Sequence, residues 1–361
     1  MNPMTNRERI IATATGGAAD RLPFFFYFGP WGETLERWHA EGLPEGVDWQ
    51  EGFGFDAGIT ILDKGFGYFP KFEYQLLEDR GDRIVFRDEL GITQLAKKEG
   101  AAVPMYLDYP VKDRASWLEL KRRLDPDDPA RFPADWKEQA ERLNRGDQAV
   151  QVGGWPYGLF GTLRDMMGVE PLLLAFYDDP ELISDIMGTL TDLWIEVYAK
   201  ICRDVKVDII HIWEDMSGKN GSLISPAMVR EFMLPNYRRI KAFADRAGIP
   251  VIALDTDGDC TELIPLFMES GINLLMPFEV AAGSDIVAYR KQFPGLGIMG
   301  GIDKREVALG RAATDRELDR IDPMFTLGGY YAMLDHQIHP EISWADFQYF
   351  TFQLKKRLSI H

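Results

Sequence analysis

The sequence predicts an α/β protein: a single (β/α)8 barrel over residues 1–361, with a small antiparallel hairpin insertion after the second strand at about 75–148. Three observations predict it. Short apolar runs alternate with helix-length amphipathic runs along most of the chain, the mark of βαβ units and a parallel sheet. The apolar runs number eight. Polar residues, most of them acidic, stand just beyond the C-terminal ends of those runs, where such barrels carry their chemistry.

In order, LPFFFYF (22–28) reads as the first strand and DAGITIL (56–62) as the second. LLEDRGDRIVFRDELGITQLAKKEG (76–100) then alternates apolar and polar residues around Gly and Asp turns, which describes an antiparallel excursion rather than a domain. A proline-rich loop (125–134) leads to a helix. AVQVGG (149–154) is the third strand, and helices follow from 157 to 203, the longest being PELISDIMGTLTDLWIEVYAKIC. VDIIHIW (207–213), VIAL (251–254), INLLMPF (272–278), LGIMGG (296–301) and GYYAML (329–334) complete the strands. No linker divides the chain.

Composition narrows the function. A chain of 361 residues, 46% hydrophobic, can bury a large core. It lacks an apolar run of about 18 residues, and MNPMTNRERI lacks the layout of a signal peptide, so a soluble, cytoplasmic protein is expected. A net charge of −17 makes nucleic acid and acidic membranes poor partners. Only Cys202 and Cys260 occur, which excludes a disulfide framework or a Cys-rich zinc site and suggests core thiols.

The strand ends carry GPWGE (29–33), Asp63 and Lys64, GGWPYG (153–158), Glu214 and Asp215, Asp255 and Asp257, Glu279, Asp303, and Asp335 with His336. Carboxylates converging on one mouth repel unless a cation sits among them. Asp255 and Asp257, two apart on an extended segment, point the same way and can reach one divalent ion; the alternative is a turn with Asx hydrogen bonds. Asp259, three before Glu262, reads as a helix N-cap. Glu214 and Asp215 are adjacent, so at most one faces the centre while the other binds backbone. His336 follows the last strand as a candidate ligand or an ordinary satisfied histidine, and His339 beside Pro340 reads as structural. His211 lies within a strand, facing either core or barrel interior. Trp31, Trp155, Tyr157 and Trp213 offer flat apolar walls or plain core.

The run HIWEDMSGKNGSLISPAMVREFMLPNYRRI, with DTDGDCTELIPLFMESGINLLMPFEV, GGIDKREVALG and GGYYAMLDHQIHPEIS after it, resembles the uroporphyrinogen decarboxylase superfamily. The likeness runs from NRERI to the end and is strongest over roughly the last 160 residues. It implies a (β/α)8 barrel, but not one chemistry: members include porphyrinogen decarboxylases and zinc-dependent methyltransferases that work with a separate corrinoid protein. The decarboxylases are similar in having RQAGR after the first strand, where this chain has YFGPWGE, and a serine where Asp215 stands. Without those arginines a multi-carboxylate substrate lacks its partners. The methyltransferases are similar in having His-x-Cys at the place of Asp255-Thr256-Asp257 and a Cys near His336. The ligand set so implied is Asp255, Asp257 and His336, with Glu279 as an addition. It holds zinc first, and this harder set also admits Fe or Mn.

The resemblance therefore implies a metal-dependent methyltransferase that demethylates a small methoxylated or related substrate. Glu214 or Asp215 would be its proton donor, and Trp31, Trp155, Tyr157, His211, Trp213 and Asp303 its substrate wall. No segment resembles the Asp-x-His-x-x-Gly of corrinoid-binding domains, so the corrinoid would come on a partner protein. The family also implies a homodimer. The alternatives are a decarboxylase or lyase acting on a small acid or tetrapyrrole, and a non-catalytic tetrapyrrole-binding protein.

Overall fold

The computed structural model describes residues 3–62, 65–99 and 104–360; Asp63 and Lys64, expected beyond the second strand, lie outside them. The strands in chain order are β1 (Ile59–Leu62), β2 (Gln75–Asp79), β3 (Arg83–Arg87), β4 (Thr93–Lys97), β5 (Met105–Asp108), β6 (Ala149–Gly153), β7 (Ile209–Trp213), β8 (Ser217–Gly218), β9 (Gly221–Ser222), β10 (Val251–Asp255), β11 (Leu274–Met276), β12 (Gly297–Met299) and β13 (Tyr330–Tyr331). A seven-stranded parallel sheet runs β1-β6-β7-β10-β11-β12-β13. Its order follows the chain, and the curled sheet is consistent with a TIM-barrel-like fold. One continuous apolar core reaches from Ile10 to Leu358.

The expected first strand is corrected. Residues 22–28 form no ladder, although Phe24, Phe25 and Phe26 are buried. Pro23 has no N–H to give, and the Phe24 N–H goes to Asp56 Oδ2 at 2.8 Å while its carbonyl accepts from Asp56 N at 2.7 Å. A side chain thus takes the place of a partner strand. The segment still runs between β1 and β13: a Cβ on Gly58 would sit 3.2 Å from the Phe25 ring, whose other side meets Tyr331 edge-on at 6.1 Å.

Within the span expected to be a hairpin insertion, β2 to β5 form a four-stranded antiparallel sheet. The rest of that span carries two helices, Arg114–Lys121 and Trp136–Arg145. At the N-terminal ends of the parallel strands, the helix Asn6–Ala14 starts on a capping box between Thr5 and Glu8. Its Asn6 side chain bonds Gly58 and Asp147, and Arg9 meets Asp20 at 2.8 Å and Asp56 at 3.3 Å. Arg7 meets the buried Asp208 at 2.9 Å. The N-terminal helix therefore closes the foot of the sheet, leaving the C-terminal ends as the mouth.

Candidate active site

The mouth is assembled from the ends of β6, β7, β10, β11, β12 and β13. In the β7–β10 pairing His211 stands beside Ala253 and Trp213 beside Asp255, which puts His211 and Asp255 on one face. Gly153 and Gly154 turn the chain out of β6 with φ of 80° and 107°. A Cβ on Gly153 would lie 2.4 Å from the His211 carbonyl oxygen, so only glycine permits this turn toward Trp155.

Asp255 is buried. Burial first, then the charges of Asp257, Asp215 and Glu279, push its carboxyl far above the usual carboxylate range. Asp257 is pushed up to about 7, again by burial and then by Glu279 and Asp215. His336 Nε2 stands 3.5 Å from Asp257 Oδ1, with its ring stacked on Phe28 at 5.2 Å. His211 Nε2 stands 3.7 Å from Asp255 Oδ2 and has no hydrogen-bond partner among the described residues. Burial pushes this imidazole down to about 3, so it is neutral at pH 7. Its Nδ1 meets the Tyr27 hydroxyl at 2.7 Å and Gln151 Nε2 at 2.9 Å. In that amide orientation Nδ1 accepts, and the ring proton sits on Nε2, facing Asp255.

The remaining expected site residues have these partners. The buried Glu214 accepts from the N–H groups of Leu159, Phe160 and Gly161 and from the Tyr237 hydroxyl at 2.7 Å. It caps the N-terminus of the helix Leu159–Met167; burial pushes it up to about 7, against the pull of those four donors. Asp215, at φ 40°, pairs with Arg164 at 2.5 Å. Asp303 caps the helix Lys304–Ala308 and pairs with Arg305 at 2.7 Å. Asp259 accepts from Thr261 N–H, serving the turn before the helix Ile264–Glu269 rather than its N-cap. Trp31 packs on His339 at 4.9 Å, and Trp155 meets Trp213 edge-on at 6.4 Å. Glu279 accepts from Gly258 N–H.

The sequence reading missed four participants. Lys304 directs its ammonium to the buried Asp335 at 3.2 Å and to Glu279 at 3.8 Å. As a lysine three residues past an expected strand end, it was open to notice. Arg164, whose guanidinium lies 4.9 Å from the Trp213 ring centre, comes from a helix. Tyr27 and Gln151 were read only as parts of strands. None of these three carries a local signal.

Whether the implied divalent metal suits these residues can be judged from the donors. Among the described residues no three His, Cys, Asp or Glu side chains stand close enough together to hold an ion. Asp257 and His336 do face each other, in a region of excess negative charge that raises Asp255 and Asp257 together. The donor chemistry fits a divalent ion through that pair, while Asp255 stands toward His211.

The model of uroporphyrinogen decarboxylase (URO-D) matches residues 88–356. The chain belongs to the URO-D family. It is similar to a uroporphyrinogen decarboxylase of Nocardia farcinica, 27% identical over 172 residues, 46% of each chain. It thus spans about half the length of that relative. A second, from Syntrophotalea carbinolica, is 24% identical over 242 residues, 65% of this chain and 67% of the other. Among solved structures, a methyltransferase from Methanosarcina mazei superposes with a TM-score of 0.58 at 15% identity, over 98% of this chain and 99% of that one, a likeness of fold. Among the described residues no helix is long and apolar enough to cross a membrane. Burial pushes the Cys202 and Cys260 thiols up to about 11 and 12, which suits inert side chains.

Proposed function

We propose that this URO-D family chain is a metal-dependent methyltransferase that removes a methyl group from a small methoxylated or related substrate and passes it to a separate corrinoid protein. One observation carries the reading. The mouth is acidic, and among the described residues Arg164 is matched by Asp215 and Lys304 by Asp335. At those strand ends a porphyrinogen bearing many carboxylates would meet Asp255, Asp257 and Glu279, with Arg164 and Lys304 already paired. A neutral ether meets no such repulsion.

In the reaction the methyl–oxygen bond breaks, the oxygen keeps the bonding pair and takes one proton, and the methyl group leaves for the partner. Asp257 and His336 would hold the metal, which, when bound, would supply Lewis acidity toward the departing oxygen. The proton comes from the pair formed by Asp255 and His211, whose Nε2–H is the group nearest that carboxyl. Tyr27 and Gln151 keep the imidazole in this tautomer.

The names of the curated relatives favour a second reading, decarboxylation of a smaller acid, in which the buried Asp255 protonates the carbanion left by carbon dioxide. One assay separates the two. The chain, supplied with zinc, reduced cobalamin and a panel of methoxylated arenes, is expected to give the absorbance of an alkylated cobalamin. Carbon dioxide release from small acids without cobalamin would overturn methyl transfer.

A further inference from the structure

Behind the wall formed by Trp155 and Tyr157 lies a cavity of about 500 Å³, between the mouth and the Glu89–Leu90 turn of the antiparallel sheet. That volume suits a small organic ligand. Tyr68, Phe69, Leu90, Trp155 and Tyr157 make its walls flat and apolar. Lys71 and Glu89, at its rim, pair with each other and cancel.

Arg131 also lines the cavity, and it is 98% buried by its 2% exposure. Its guanidinium bonds only carbonyl oxygens, those of Asp125, Gly65, Gly67 and Arg123, and lies 4.9 Å from the Phe69 ring centre. Among the described residues no carboxylate lies within ion-pair distance of it. Asp128 and Asp125 act on it only through space, and burial outweighs them and pulls the guanidinium below its ordinary value; a buried cation without a contacting counter-charge is costly, and the cost falls when an anion enters.

We infer that this cavity is a binding site for a planar aromatic ligand carrying one acidic group, the ring held among Phe69, Trp155 and Tyr157 and the acid turned toward Arg131. Trp155, in the cavity wall, meets Trp213 edge-on, and Trp213 stands beside Asp255 in the sheet. An aryl ring lodged here can present a substituent toward Asp255. The inference rests on the proposed function only in treating that ligand as the methyl donor; the aromatic acid itself is read from the cavity.

The test is calorimetric titration of the full chain with 4-methoxybenzoate and with methoxybenzene, which share the ring and differ in the carboxylate. The benzoate should bind at least about ten-fold more tightly. Trp155→Ala removes an exposed wall, and Leu90→Trp fills the cavity from the opposite side. Both should weaken the benzoate by about ten-fold or more with an unchanged melting temperature. Arg131 also ties four carbonyls, so it is left intact and the ligand pair reports on it. Equal binding of the two ligands, absence of benzoate binding, or indifference to Leu90→Trp in a folded chain would each overturn the inference. Binding of the expected pattern in a chain that alkylates no cobalamin sustains the cavity's role and removes the methyl-donor reading alone.

Discussion

At the foot of the sheet Asp20 and Asp56 meet Arg9 and Arg21, whereas at the mouth Asp255, Asp257 and Glu279 meet one another. The residue type is the same and its treatment is opposite. The Arg9 guanidinium holds the Asp20 carboxyl well below its ordinary value, while burial among like charges pushes Asp255 and Asp257 up. Charge at the foot stabilises the fold. At the mouth it opposes the fold and remains available to a cation or a proton, the division of labour expected between the two ends of such sheets.

The widest break in that comparison would come from Arg9→Met. It leaves Asp20 without its partner and should lower unfolding free energy by about 3 kcal/mol in urea titrations, with activity per folded molecule intact. A loss below about 0.5 kcal/mol would show that the foot is not what anchors the sheet. Asp257→Asn should do the reverse, cutting turnover by about 100-fold in the cobalamin assay while the urea midpoint holds or rises. A fall in stability equal to that of Arg9→Met would make Asp257 a structural residue.

Acid sharpens the contrast. The stability that Asp20 contributes is complete above its ordinary value of 3.8 and is lost as pH falls below it toward the lowered folded value. Stability measured from pH 5 down to 2 should decline steeply in the native chain and less so in Arg9→Met. Asp165 gives the smallest effect. Burial, beside Asp215 and Asp88, pushes it up to about 6, so its contribution falls as pH rises from its ordinary 3.8 through about 6. Asp165→Asn should remove that fall and gain about 1 kcal/mol at pH 8, visible as a higher melting temperature.

Much of the mouth was legible because strand ends are. An apolar run that stops at an acid, as in VIALDTD or GYYAMLDH, marks a C-terminal end without tertiary knowledge. Alternation also indicated that only one of Glu214 and Asp215 would face inward; the left-handed φ of Asp215 and the helix N-terminus that claims Glu214 depend on packing. Residues 22–28 read as a strand because three consecutive phenylalanines announce burial, which they have, but not a hydrogen-bonded neighbour. Arg131 and Arg164 were invisible for a simpler reason: their partners lie far along the chain, 66 residues away at Gly65 and 51 at Asp215.

That phenylalanine segment resembles a stave fastened at its two ends. Asp56 holds it at Phe24, and beyond its far end Gly29 and Trp31 bond Ile338. In between, ring packing and the Tyr27 hydroxyl, bonded to His211 and Gln151, restrain it. Tyr27 and Phe28, whose rings back His211 and His336, stand near the far fastening. A ligand that presses on them meets side chains rather than a ladder of backbone hydrogen bonds.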